Sequence, residues 1–199
     1  QWSLVGSEMC IRDSLSIAAQ GAARAAFTNS GQVCLCGSRI LVADAIYDEF
    51  VEKLVSEVSN MTVGNPQLTD TDIGSVISQE HMNKILSYID LAANEHGRIL
   101  TGGKQLSLPK PNADGAFIAP TLIDRIPIDS RCATEEIFGP VATIHRFSSD
   151  EEAIDMANLT QYGLAGSVWT SDTERGKAVA EQVESGILWV NTWVHRDLR

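Results

Sequence analysis

The feature that leaves this chain the fewest folds is an alternation of two periodicities. Short apolar runs separate stretches in which apolar residues recur every three or four positions. Ile40, Leu41 and Val42 form one such run, bounded by Arg39 and Ala43, and read as a buried strand. Asp44 is placed to cap a helix on which Ile46, Phe50, Leu54 and Val58 share a stripe, with Val51 and Val55 beside them. Before these, Leu15 to Ser30 is rich in alanine (18, 19, 22, 23, 25 and 26) and reads as a closely packed helix running into a glycine turn. Ser78 caps a further helix with Met82, Ile85, Ile89 and Ala92 on one face, which stops at Gly97. Ile99 and Leu100 begin a strand that ends at Gly102-Gly103. Strands are also expected at Phe117 to Ile126, Val141 to Phe147, Ser167 to Thr170 and Ile187 to Asn191. Helices over Asp150 to Leu159 and from Asp172 to Glu184 fall between the last three.

Strands alternating with helices predict an α/β fold, a three-layer domain with a largely parallel sheet. The first fourteen residues, QWSLVGSEMCIRDS, show no such periodicity. They read as a non-native, read-through segment, with a native but irregular N-terminal strand as the alternative, and are set aside from the fold, which leaves one domain over residues 15–199.

Charge narrows the partners. The formal net charge of −11 argues against nucleic acid and anionic membrane, since phosphate binding needs clustered Lys and Arg. No apolar run approaches the roughly 18 to 20 residues that span a bilayer. Four cysteines (Cys10, Cys34, Cys36 and Cys132) make no disulfide framework for 199 residues, and a reducing cytoplasm is the expected compartment. A metal reading of Cys34 and Cys36 lacks a second thiolate pair, and His81, His96, His145 and His195 are scattered, so no metal is expected.

Chemistry concentrates in Phe27-Thr-Asn-Ser-Gly-Gln-Val-Cys34-Leu-Cys-Gly-Ser-Arg39, which sets a cysteine just past a helix and a glycine turn. A thiol attacks only as thiolate, and exposed backbone N–H groups in a turn can hold an oxyanion. A small buried filler is the competing reading of any such cysteine, and local chemistry alone leaves the two open.

The same residues carry a resemblance. Phe27, Asn29, Gly31, Gln32, Cys34 and Arg39 match each fixed position of a pattern found in the aldehyde dehydrogenase superfamily. About a hundred residues on, Glu135-Glu-Ile-Phe-Gly-Pro-Val141 is similar to a second hallmark of that family. Asn158 to Ala165 and Gly186 to Asn191 resemble a third and a fourth, in the family's order. The resemblance implies that Cys34 is the nucleophile, adding to an aldehyde to give a thiohemiacetal and then, after hydride loss to a nicotinamide, a thioester. It implies that Glu136 binds the nicotinamide ribose, that Phe138 places the nicotinamide ring, and that His81 and Lys84 approach the cofactor. Val33 and Leu35 flank the thiol and are expected to line the aldehyde pocket. NAD is the cofactor implied, with NADP left open, and a homo-oligomer (dimer or tetramer) is expected of the parent protein.

Asn191-Thr-Trp-Val-His-Arg-Asp-Leu-Arg199 resembles the muconic semialdehyde dehydrogenases of aromatic-ring degradation. A carboxylated semialdehyde needs a fixed cation at the far end of its pocket, which implicates Arg196 and Arg199. Pairing of both with Asp197 or other surface acids is the alternative. Betaine aldehyde, succinate semialdehyde and CoA-acylating branches, or a non-catalytic binding relative, are the other readings. The family's nucleotide-binding half, its general-base glutamate and its oxyanion asparagine are expected before Leu15, and its subunit-joining strand after Arg199. The chain as written is therefore expected to be inactive by itself.

Overall fold

The computed structural model describes residues 2–5 and 12–195. Its main sheet has seven strands: β1 (Trp2–Val5), β2 (Arg39–Ala43), β3 (Arg98–Thr101), β6 (Thr121–Asp124), β7 (Val141–Phe147), β8 (Ala165–Trp169) and β9 (Ile187–Val190). Their order is β3-β6-β7-β2-β1-β8-β9, parallel throughout except for the antiparallel edge pair of β3 and β6. A separate two-stranded ribbon joins β4 (Gln105–Leu106) to β5 (Phe117–Ile118). The helices are α1 (Arg12–Phe27), α2 (Tyr47–Ser59), α3 (Gln79–Asn94), α4 (Arg131–Thr134), α5 (Asp150–Asn158) and α6 (Thr173–Ala180).

Alternation along β2 shows how the layers form. Ile40 and Val42 join Ala19, Ala22, Phe50 and Leu54 in the core beneath α1 and α2. Leu41, between them, packs with Ala153, Ala157 and Val179 beneath α5 and α6. A strand whose successive side chains are all buried must be covered on both faces, which is the expected three-layer α/β arrangement. The alanines of α1 carry little bulk, so that helix lies close to its neighbours; Ala19, Ala22 and Ala25 are fully buried. Among the described residues no helix is long and apolar enough to cross a membrane.

Several local expectations change. Trp2–Val5, set aside above, pairs with both β2 and β8 in the interior of the sheet, and Arg12 already belongs to α1. Ladder hydrogen bonds come from the backbone, so an extended segment can pair without a legible side-chain pattern. The strand expected over Phe117 to Ile126 is two strands, broken at Ala119 and Pro120. Proline has no N–H for a ladder, and pairing changes across it: Ala119 N–H donates to Lys104 O, whereas Thr121 N–H donates to Pro140 O. Asp44 caps nothing; a 3₁₀ turn over Asp44–Ile46 leads into α2 without a side-chain cap. Helix α6 ends at Ala180, short of Glu184. Ser78 and Asp172 do cap α3 and α6, accepting from His81 N and Arg175 N. After α3, His96 takes the left-handed conformation expected of Gly97. Gly97 is needed for closeness, since a Cβ there would lie 2.3 Å from Ile126 Cγ2.

Between the sheet and α5 sits a buried polar group. Arg39, 3% exposed, donates from Nη2 to Ala157 O at 2.9 Å, and burial lowers its pKa to about 10. His145 contacts Thr143 Oγ1 at 3.0 Å, and burial, aided by the charge of Arg39, lowers its pKa from 6.5 to about 4. As pH falls through 6.5 the unfolded chain takes up this proton while the folded chain does not until about 4. The stability His145 contributes is thus intact above that window and lost within it, by roughly 3 kcal/mol at most at 1.36 kcal/mol per pKa unit. Urea titrations at pH 7 and pH 4.5 are expected to show a smaller loss for His145→Asn than for the wild-type chain; equal losses contradict the assignment.

Candidate active site

The loops that enter β2, β7 and β8 all lie at the N-terminal edge of the parallel strands. Because those strands are close neighbours in the sheet, three segments far apart in sequence meet there. The first follows α1. Asn29 (φ 52°), Ser30 (φ 57°) and Gly31 (φ 68°) are three successive left-handed residues in a 3₁₀ turn. For non-glycine residues this conformation costs about 1–2 kcal/mol each. Hydrogen bonds offset that cost. Asn29 Nδ2 donates to Gln32 O at 3.2 Å, and Ser30 Oγ donates to Gly74 O at 3.0 Å. Gln32 N–H donates to Asn29 O, and Gln32 Oε1 accepts from Ile77 N at 3.0 Å.

The turn sorts the thiols. Cys34 leaves it exposed, in neither helix nor strand. Its backbone N–H has no hydrogen bond among the described residues. Cys36 is buried two residues later, donates to Thr28 O, and burial raises its pKa to about 11. Cys132 is buried against Tyr88 O at 3.2 Å, and burial raises its pKa as well.

The second segment, Glu135 to Pro140, crosses the first where both are narrowest. A Cβ on Gly31 would lie 2.0 Å from Gly139 O, and one on Gly139 would lie 2.4 Å from Ile85 Cδ1. The missing Cβ of Gly31 thus lets the loops touch through their backbones, and that of Gly139 lets Ile85 of α3 pack against the second loop. Helix α3 secures the second loop: His81 Nε2 lies 2.7 Å from Phe138 O, and Lys84 Nζ donates to Glu136 O at 3.4 Å. Phe138 itself is left-handed (φ 58°), with its ring 37% exposed and edge-on to His81 at 6.4 Å.

The adjacent carboxylates differ. Glu135 accepts from Arg131 at 2.7 and 2.9 Å and from Tyr88 Oη at 2.5 Å, and these bonds lower its pKa to about 2. The Glu136 carboxylate has no hydrogen bond or ion pair among the described residues. Glu136 and Cys34 line one cleft of about 140 Å³ with Glu135, Ala133, Ser38, Arg39, Thr134 and, from the third loop, Thr160, Tyr162 and Leu164.

Cys34 and Glu136 thus come together, with Phe138 exposed on the same loop. His81 and Lys84 are engaged with that loop's carbonyls. Leu35 is 6% exposed and packed with Ala165 and Trp189 outside the cleft of Cys34 and Glu136, because the tight turn after Cys34 sends it inward. Val33 is half-buried beside that cluster and does not line the cleft. Arg196 and Arg199 lie outside the described residues. Arg39 was legible only as a motif position, and Tyr88 and Arg131 gave no signal, since their role is a contact between separate elements. Asn158 and Asn191, from the third and fourth hallmarks, are latches. Asn158 binds Gln182 O and Glu184 N, and Asn191 binds both N and O of Thr170. Among the described residues no group of three or more His, Cys, Asp or Glu is placed to hold a metal.

A family model described as Aldehyde dehydrogenase family matches residues 11–199. A 2-aminomuconic semialdehyde dehydrogenase of Mus musculus is 45% identical over 177 residues, 88% of this chain and 36% of that protein. A 2-hydroxymuconic semialdehyde dehydrogenase of Pseudomonas sp. (strain CF600) is 41% identical over 185 residues, 93% of this chain and 38% of that protein. Among solved structures, an indole-3-acetaldehyde dehydrogenase of P. syringae in complex with NAD+ and IAA superposes with a TM-score of 0.91 at 34% identity, covering 99% of this chain and 39% of that one. The chain spans less than two fifths of the length of each of these proteins.

Two outcomes follow from the geometry. Brief alkylation with iodoacetamide near pH 8, read by peptide mass spectrometry, is expected to label Cys34 well ahead of Cys36 and Cys132; equal labelling of the three contradicts the sorting of thiols. Gly31→Ala is expected to lower the urea midpoint, by a loss of unfolding free energy of more than about 2 kcal/mol, combining left-handed strain with overpacking against Gly139. An unchanged midpoint would mean that the two loops do not depend on this contact.

Proposed function

The chain belongs to the aldehyde dehydrogenase family, and from that premise we propose that its parent protein oxidises a carboxylate-bearing aldehyde to the acid with NAD. The observation that carries this reading is an exposed Cys34 sharing one cleft with an unpaired Glu136 carboxylate. Cys34 Sγ adds to the carbonyl carbon, and the backbone N–H of Cys34 receives the oxyanion that forms. Loss of hydride from that carbon leaves a thioester on Sγ. Water then cleaves the carbon–sulfur bond, releasing the acid and the thiolate. The base for that last step is expected in the part of the parent protein outside this chain.

The residues present fit the dinucleotide. A carboxylate without a protein partner suits a ribose diol, which assigns Glu136, and the exposed ring of Phe138 suits the flat face of a nicotinamide. When bound, NAD supplies the hydride acceptor; the choice between NAD and NADP is not carried by residues of this chain. The substrate class rests on the relatives named for muconic semialdehydes and on Arg196 and Arg199, whose guanidinium groups suit a substrate carboxylate. A cytoplasmic homo-oligomer is proposed for the parent.

The full-length protein is expected to reduce NAD with 2-hydroxymuconic semialdehyde more efficiently than with neutral aldehydes, read by absorbance of the reduced nicotinamide. Cys34→Ser is expected to lower kcat by at least about a thousandfold. Arg196→Met is expected to raise KM for the carboxylated aldehyde alone. The 199-residue chain by itself is expected to show no turnover. A full-length protein with no aldehyde-dependent NAD reduction, or with full activity as Cys34→Ser, would refute the assignment.

A further inference from the structure

We propose that Tyr88 and Arg131 are positioning residues that aim Glu136 into the cleft by immobilising its neighbour, Glu135. This inference rests on the reading of Glu136 as a ligand of the cofactor ribose. The loop that carries Glu136 and Phe138 has no ladder of its own and includes a non-glycine residue in the left-handed region. Something outside the loop must therefore hold it. The face of α3 that presents His81, Lys84, Ile85 and Tyr88, spaced at three, four and seven positions, meets the loop four times. His81 holds Phe138 O, Lys84 holds Glu136 O, Ile85 packs on Gly139, and Tyr88 holds the Glu135 carboxylate.

The last contact has a consequence that the other three lack. Glu135 is extended (φ −106°, ψ 152°), and side chains on successive residues of extended backbone point to opposite sides. Tyr88 Oη and the Arg131 guanidinium draw the Glu135 carboxylate toward α3 and α4. Both glutamates border the cleft that holds Cys34, and with the Glu135 carboxylate tied to α3 and α4 only that of Glu136 is left without a partner among the described residues. The clamp also neutralises Glu135 with the Arg131 charge, so a single uncompensated negative charge of the pair faces the cleft. Arg131 is itself steadied over the Tyr88 ring at 5.6 Å, which makes Tyr88, Arg131 and Glu135 one unit.

The test uses full-length protein carrying Tyr88→Phe, Arg131→Ala, Arg131→Lys or Glu135→Gln, with kcat and both KM values measured. Tyr88→Phe and Arg131→Ala are expected to raise KM for NAD by about threefold or more, while KM for the aldehyde and kcat at saturating NAD stay within about twofold. Arg131→Lys is expected to restore part of the loss. Adding Tyr88→Phe to Glu135→Gln is expected to change nothing further, because both act through one carboxylate. Direct titration of NAD binding, with thermal unfolding of the same samples, separates aim from stability. The proposal is overturned by an active wild type whose variants keep their NAD KM, by equal rises in both KM values, or by NAD losses that follow thermal stability and are not eased by lysine. A wild type without NAD reduction would instead sink the functional reading first, and this inference with it.

Discussion

The site depends on one backbone-to-backbone contact. Gly31 and Gly139 belong to loops more than a hundred residues apart, and a Cβ on Gly31 would drive them apart. Their contact brings the turn that presents Cys34 against the loop that presents Glu136 and Phe138. Ile85 completes the stack from the α3 side, so the position of that helix is set by the same contact. Everything chemical in this chain sits within reach of this crossing, and the hydrogen bonds of Asn29, Ser30, Gln32 and His81 serve to keep the two loops in place.

The edge of the sheet at which this happens is informative. In open parallel sheets small ligands usually sit beyond the carboxyl ends of the strands. Here the cysteine turn, the glutamate loop and the loop before β8 gather at the amino ends. Tyr162 and Leu164 border the cleft as exposed apolar groups, and Phe138 on the glutamate loop and Leu159 at the end of α5 are exposed as well. An exposed thiol at the rim of a domain, beside an unpaired carboxylate and an uncovered aromatic residue, fits a site shared with another body. That agrees with a chain spanning less than two fifths of its relatives.

What was legible in the residues divides by mechanism. Helix stripes and buried strands were readable because periodicity follows from burial on one face or two, as in α2, α3, β2 and β7. Boundaries set by a single backbone event were not, as where Pro120 splits a strand or His96 takes the conformation expected of Gly97. An interior strand of the sheet was passed over because Trp2–Val5 is recruited through ladder bonds, which leave no side-chain pattern. In the site, Cys34 and Glu136 were found by motif and do share a cleft. The inward packing of Leu35 was not legible, because adjacency to Cys34 does not say which way a side chain turns. Tyr88 and Arg131 were invisible, since each acquires its role only from a partner on another element.

The residues alone determined the α/β class, the family resemblance and the identity of the thiol to examine, because each is written in local spacing. They left Cys34 undecided between nucleophile and filler, and gave two adjacent glutamates with equal chemistry. Tertiary structure tells the two cysteines and the two glutamates apart. Exposure separates Cys34 from Cys36, and the reach of Arg131 and Tyr88 separates Glu135 from Glu136. Burial and charge pairing are properties of neighbours in space, and those neighbours come from distant parts of the chain.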